Sequence, residues 1–266
     1  KPVRRNFTFK NNLGKTRFLG SSSLRDKVVQ QSMLFILEAI YEPIFSGNSH
    51  GFRPGQNCKT ALKEVRYSWS GVKWIIEGDI KGCYCNMDHH ILINILRLKI
   101  KDERFIGLIW KLLRVGIVEN GITVQSSVGV PQGGILSPLL ANVYLNNLDN
   151  FVQKLIIKTT SFELRQPDLK YEIVWGKTYR FRSLRKNTEV KVIKPSKEKL
   201  LEIIKLKKIQ KTMPSKDFSE PLYKKVLFTR YADDWMIGVA GSRLLAVDIR
   251  DKIENFLAQD LKLTLS

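Results

Sequence analysis

From Ser23 to about Phe45 apolar residues recur at helical spacing (Leu24, Val28, Met33, Leu34, Leu37, Ile40, Tyr41), and this predicts a helix. Ser23 is placed to cap it, Asp26 favours its N-terminus, and Pro43 and Gly47 mark its end. Residues 1–20 read as two short strands joined at Asn11-Asn12-Leu13-Gly14. After the loop Gly51-Phe52-Arg53-Pro54-Gly55, a second helix is expected from Cys58 to about Ser68. The run Lys73-Trp74-Ile75-Ile76-Glu77-Gly78-Asp79-Ile80 has a β-rich apolar start and ends in a carboxylate, as a strand delivering a side chain to a cleft would. Helices follow at Asp88–Lys99, at about Glu103–Val115 and at Ser137–Phe151, the last opened by Ser-Pro with Pro138 as its first residue.

The periodicity weakens over 155–224, where Lys, Arg, Glu and isolated aromatics dominate. We read this block as a basic insertion within the domain, carrying a surface helix over Lys197–Lys211 and a loop at Met213–Asp217. A flexible solvated excursion is the alternative for such a charged stretch. Val226–Val239 then reads as a hairpin with Ala232-Asp233-Asp234 near its tip, Leu244–Asp260 as an amphipathic helix, and Leu261–Ser266 as the start of a strand. No internal repeat is evident, and the mixture of strands and helices implies an α+β fold with a small central sheet.

Charge changes the picture more than composition does. Forty-five Lys and Arg against 25 Asp and Glu give a formal charge of +20, and a surplus of that size attracts polyanions by counterion release and steering. Aromatics mixed into basic stretches, as in Tyr179-Arg180-Phe181-Arg182, suit stacking as well as charge. A merely soluble basic protein, or one with affinity for anionic lipid, is the competing reading; separately, no apolar run approaches the ~20 residues of a membrane span. Cys58, Cys83 and Cys85 form no CxxC pair, which argues against zinc and against a disulfide framework.

The sharpest chemistry is Tyr231-Ala232-Asp233-Asp234. Adjacent carboxylates between apolar strands are costly to bury unless something neutralises them, and a hard divalent cation such as Mg²⁺ selects oxygen ligands. An Asp-Asp pair alone is an ordinary turn; the flanking strands and a further carboxylate, Asp79, at another strand end shift the balance. Nucleotidyl transfer by two metals ~3.5–4 Å apart needs carboxylates brought together from separate strands.

These residues also carry a family resemblance. Tyr231–Asp234 resembles the active-site box of reverse transcriptases, and further stretches are similar, in order, to the form found in group II intron maturases. They are Lys15–Gly20, Leu24–Gln31, Gly51–Gly55, Asp79–His89, and Gly129–Asn142 continuing through Tyr144–Asp149, so that nearly the whole chain outside 155–224 is covered. The resemblance implies right-hand polymerase fingers and palm, with a central antiparallel palm sheet packed on helices. Residues 1–70 would be the N-terminal part of the fingers, 71–154 the palm with the first catalytic Asp and a returning fingers segment, 155–224 the insertion, and 225–266 the palm hairpin. A helical thumb should follow the palm, and the sequence stops at Ser266 before it.

Position by position, the resemblance implies that Asp79 and Asp233 hold two Mg²⁺ ions, with the Ile80 carbonyl as a further ligand and Asp234 in support. Tyr84 would be the steric gate against a ribose 2′-hydroxyl; without the resemblance, core packing explains it equally well. Gln132 would contact the incoming dNTP, and Lys15 and Arg17 would clamp its triphosphate. Gly133 and Gly134 would let backbone lie close to template or nucleotide, and Arg53 would contact template phosphate, with a surface loop Arg as its plain alternative.

The implied function is an RNA-directed DNA polymerase that binds intron RNA, an RNA template and a DNA primer, and assists splicing and mobility. It would work in the mitochondrial matrix or the bacterial cytoplasm, as a homodimer or within a ribonucleoprotein, and away from membranes. Three departures from the family pattern stand out: Phe18 for a usual Pro, Ser21-Ser22 for Ile-Pro, and Cys85 for a usual Asp. They keep open a second class, a non-catalytic RNA-binding scaffold derived from a reverse transcriptase. An RNA-dependent RNA polymerase shares the palm logic but is disfavoured by Tyr84, which would obstruct ribonucleotides.

Overall fold

The computed structural model describes residues 3–10, 15–119, 122–124, 128–131, 133–161, 166–183, 197–216 and 223–266. In chain order these form β1 (Val3–Lys10), β2 (Lys15–Ser21), α1 (Leu24–Tyr41), α2 (Cys58–Ser68), β3 (Trp74–Asp79), α3 (Cys83–Asn86), α4 (His89–Arg97) and α5 (Glu103–Leu113). They continue as β4 (Ile117–Glu119), β5 (Ile122–Val124), α6 (Ser137–Thr159), α7 (Leu169–Ser183), α8 (Lys197–Thr212), β6 (Lys225–Tyr231), β7 (Asp234–Ala240) and α9 (Arg243–Gln259). The chain divides into two compact units, Lys1–Thr159 with Lys225–Ser266, and Thr160–Lys224.

The larger unit is α+β, as expected, and holds two sheets. One has the order β2-β1-β4-β5, with β1 and β2 antiparallel from Arg4↔Ser21 to Lys10↔Lys15. The expected turn at 11–14 lies outside the described residues. The other sheet has the order β3-β7-β6, antiparallel throughout, and is the one that presents the carboxylates. Its inner face buries Val226, Phe228, Trp235, Ile237 and Val239 in one core with α6 and α9, which contributes Ile249, Ile253 and Leu257. Along β3 exposure alternates strictly, so Ile75, Glu77 and Asp79 face out.

Helix termini form where the sequence supplies caps. Ser23 Oγ accepts from Asp26 N at the start of α1, and Asp88 Oδ1 accepts from His90 N and Ile91 N at the start of α4. Helix α6 continues past Phe151, because Val152, Leu155 and Ile156 extend its apolar spacing into the core. The insertion therefore begins at Thr160, not at 155. The strand expected at Leu261–Ser266 is a single antiparallel bridge, Ile80↔Leu265, flanked by hydrogen bonds from Lys81 N to Thr264 O and from Ser266 N to Asp79 O.

The smaller unit is a pair of helices packed on each other, α7 being an element that the sequence pattern did not announce. Its ends are tied by Ser161 N to Lys224 O (2.8 Å) and Lys224 N to Ser161 Oγ (3.0 Å), and Pro167 bridges Lys216.

Candidate active site

Register brings the carboxylates together. Asp79, the last residue of β3, pairs directly with Asp234, the first of β7. Asp234 also pairs with Tyr231 across the hairpin, which leaves Ala232 and Asp233 as its two-residue turn. Ala232 has φ +59°, the left-handed conformation that a tight β-hairpin turn requires and that alanine adopts only at a cost. Directly opposed like charges weaken a sheet, so a cation near Asp79, Asp233 and Asp234 would offset a cost that this register carries.

The field of the site converges on Cys83 in α3. Burial pushes this thiol up to about 12, the charges of Asp233 and Asp79 add to the rise, and Arg230 opposes it. The carboxylates of Asp79, Asp233 and Asp234 are the oxygen donors that a hard divalent ion takes. Among the described residues no three His, Cys, Asp or Glu side chains already stand close enough to hold one ion. The Ile80 carbonyl accepts from Cys83 N at 3.3 Å as the chain turns into α3.

A buried polar network behind the hairpin holds its tip. Arg230, fully buried in β6, donates through Nε and Nη2 to both oxygens of Asp149 on α6 at 2.7 Å. Nη1 reaches the Ala232 carbonyl at 2.7 Å and Asn142 Oδ1 at 3.1 Å, and Nη2 reaches Ser49 Oγ at 2.8 Å. Asn142 Nδ2 donates in turn to the Gly51 carbonyl at 2.8 Å. Gly51 packs flat against the turn, where an added Cβ would lie 2.4 Å from Ala232 N. The segment before it joins the edge of β6 through His50 N to Arg230 O and Arg230 N to Asn48 O. None of these roles is legible in the sequence pattern. The available signal is Arg230 itself, a cation in register with the apolar inward residues Val226 and Phe228.

The glycine-rich loop is fixed from two sides. Val130 N donates to Tyr84 O at 2.6 Å and Gly129 N to Met87 O at 2.8 Å, laying the loop across α3. Buried His89 Nε2 lies 2.6 Å from the Gly129 carbonyl, to which it donates. On the other side Gln30 Oε1 accepts from Ile135 N at 3.0 Å while its Nε2 donates to Ser22 Oγ at 3.3 Å. Gly133 has φ +93°, and a Cβ there would meet the Gly20 carbonyl at 2.8 Å. Gly134 has Ser137 Oγ in the corresponding place at 2.7 Å. Both glycines thus make close approaches to the protein's own atoms.

Of the other residues singled out in the sequence, Tyr84 sits half-buried in α3, beyond the end of β3. Lys15 and Arg17 take their places in β2, but their side chains lie outside the described residues, as does all of Gln132. Arg53 is turned inward rather than toward a template. Its Nε and Nη2 donate to Glu42 Oε1 at 2.9 and 2.8 Å, and its Nη1 donates to the Ser46 and Ser49 carbonyls at 2.5 and 2.8 Å. Only 8% of that side chain is exposed, so the arginine clamps the 46–49 loop and is neither a surface residue nor free for phosphate.

Comparison with known proteins shows the family. Residues 8–165 match the family model described as reverse transcriptase (RNA-dependent DNA polymerase). The whole chain is 39% identical to the group II intron-encoded protein LtrA of Lactococcus lactis subsp. cremoris, covering 43% of that protein. It is 34% identical to the putative COX1/OXI3 intron 2 protein of Saccharomyces cerevisiae, covering 30% of it. The chain thus spans less than half the length of these relatives. In fold it is similar to apo telomerase from Candida tropicalis truncated from its C-terminal domain, with a TM-score of 0.51 and 12% identity over all of this chain and 49% of that one.

Proposed function

Because the chain belongs to the reverse transcriptase (RNA-dependent DNA polymerase) family, we propose that it forms the fingers and palm of a group II intron-type reverse transcriptase that extends a DNA primer on an RNA template. The observation that carries this is the register pair Asp79↔Asp234 with Asp233 in the turn beside it. A reverse transcriptase domain works with divalent metal, and here the group is two Mg²⁺ ions. Asp79 and Asp233 hold them with help from the Ile80 carbonyl, while Asp234 supports the pair from its place opposite Asp79. When bound, such ions lower the pKa of the primer 3′-hydroxyl and stabilise the leaving pyrophosphate.

The chain's own residues supply position. The Arg230 network fixes the turn that carries Asp233. The segment that carries Gly133 and Gly134 is anchored by Val130 N to Tyr84 O on one side and by Ile135 N to Gln30 Oε1 on the other, and Tyr84 gates the sugar of the incoming dNTP. Lys15, Arg17 and Gln132 receive that nucleotide. Beyond polymerisation, the similarity to LtrA and the +20 charge support binding of the host intron RNA and assistance to its splicing. We place the protein in the mitochondrial matrix or the bacterial cytoplasm; among the described residues no helix is long and apolar enough to cross a membrane.

Primer extension on an RNA template with Mg²⁺ and dNTPs tests the reading. Extension is expected from the chain complemented by a thumb in trans, and not from its Asp233→Ala form. Tight RNA binding without any Asp233-dependent extension would sink the polymerase and leave an RNA-binding scaffold.

A further inference from the structure

The unit Thr160–Lys224 contributes none of the site residues described above. It holds seventeen Lys and Arg against eight Asp and Glu, a net +9 that is nearly half of the chain's +20 in about a quarter of its length. None of residues 169–179 in α7, and no residue of α8, is buried. Among the described residues, the rings of Trp175 and Tyr179 therefore do not serve a core. Trp175 and Tyr179, one helical turn apart on α7, stack on each other with ring centroids 4.9 Å apart and planes 16° from parallel, and both are about half exposed (48% and 53%). Lys170 and Lys177 are exposed on the same helix.

We propose that this unit docks single-stranded RNA, with the Trp175–Tyr179 pair as the platform on which an unpaired base stacks. Stacked, exposed rings offer a π-face that every base can use, and surrounding lysines track the phosphates. Charge complementarity selects a polyanion over a neutral protein partner. The pattern on α8 selects nucleic acid over an anionic bilayer. A membrane-surface helix segregates lysines from apolar residues, whereas here exposed Lys208 lies four residues from exposed Ile204 and seven from exposed Leu201, on one face. The inference deepens the RNA-binding part of the reading above and does not depend on polymerisation.

The test uses the full chain and a fluorescein-labelled, unstructured single-stranded RNA, followed by anisotropy across a salt series, with circular dichroism as the check on helicity. W175L/Y179L keeps apolar bulk and helix propensity but removes both π-faces. It is expected to weaken binding about five- to a hundredfold, the scale of one stacked base, without changing the salt slope. W175F/Y179F should bind like the unaltered chain, and an abasic oligonucleotide of equal length should bind the unaltered chain as weakly as the normal RNA binds W175L/Y179L. Unchanged affinity in W175L/Y179L overturns the proposal. So does equal affinity for the abasic strand, or loss of binding to phosphatidylserine vesicles while RNA affinity stays the same. Extension assays on the same preparations separate the two readings. Extension that persists with RNA affinity indifferent to the rings sinks only this one. Absence of Asp233-dependent extension with a ring-dependent affinity sinks only the polymerase.

Discussion

Arg230 Nη1 donates to the carbonyl of Ala232 at 2.7 Å, so the strand leading into the hairpin also grips its tip. The same guanidinium is neutralised by Asp149 on α6, and neither side chain is exposed at all. The turn that carries Asp233 is thereby referenced to the most buried helix of the domain. A left-handed alanine, costly by itself, persists because its neighbours over-determine it.

Arg230→Met should leave Asp149 as an uncompensated buried charge and destabilise the protein by about 3–5 kcal/mol. The double variant Arg230→Met, Asp149→Leu removes both charges and should recover much of that in urea unfolding, a coupling that a double-mutant cycle quantifies. Primer extension should stay low in the double variant, because the Ala232 carbonyl is no longer held. Recovery of extension together with stability would show that the network serves folding alone.

Gly51→Ala is expected to disturb the same turn from the other side. Its Cβ would fall 2.4 Å from Ala232 N, against backbone that cannot rotate away. Overpacking of this kind costs about 1–3 kcal/mol, and extension should fall at least tenfold on the order-of-magnitude relation between sub-ångström misplacement and rate. Gly47→Ala, with nothing within 4 Å of its added methyl, is the matched control and should change neither thermal unfolding nor extension. Equal effects from the two would remove Gly51 from the account.

What the sequence made legible were features with local signals. Apolar periodicity announced α1, α2, α4, α5 and α9, and an apolar run ending in a carboxylate announced β3 and the Asp79 position. Strands β4 and β5, three residues each, are too short to show a period. Helix α7 mixes charged, aromatic and aliphatic residues around its circumference, so no single face stood out. The sequence resemblance placed Asp233 beside Asp79 in role, whereas the register that sets Asp234 opposite Asp79 needs the paired strands to be seen. Arg53 and Arg230 show the larger limit. Both are arginines in a basic chain, and both guanidinium groups are taken up by ion pairs, with Glu42 11 residues from the first and Asp149 81 from the second. Pairing over such separations leaves no trace in spacing.

Tyr84→Ala should raise incorporation of ribonucleotides relative to deoxyribonucleotides, measured as the ratio of single-nucleotide insertion rates. The half-buried ring stands in α3, whose backbone is tied to the glycine-rich loop through Val130 N, so the truncation removes the ring without releasing the loop. Sugar selectivity unchanged in an active enzyme would return Tyr84 to core packing.

Asp88 predicts a pH dependence. Burial works against its charge, but hydrogen bonds from Lys262, Ile91 and His90 outweigh that and hold its carboxyl below the usual range. A depressed folded-state pKa contributes stability above the unfolded value, about 4, and that contribution disappears as pH falls through the folded value. Asp88→Asn should therefore destabilise the protein at pH 7 and much less near pH 3, read from urea midpoints at the two pH values. A penalty that does not shrink on acidification would mean that the cap, and not the charge, is what matters.

Thiol labelling separates the three cysteines by the same physics that shapes the site. Cys58 and Cys85 are exposed and Cys83 is buried. The reactive species is the thiolate, and Cys83 is disfavoured twice, by lack of access and by a thiol pushed up to about 12 through burial and the charges of Asp233 and Asp79. In native protein at pH 8, two thiols should react with a disulfide reagent within minutes and the third only on unfolding. Asp79→Asn with Asp233→Asn removes the electrostatic part but leaves the burial, so Cys83 should remain slow in that variant. Fast reaction of Cys83 in the native chain would mean that α3 opens readily, and would count against the fixed placement of Tyr84 beside it.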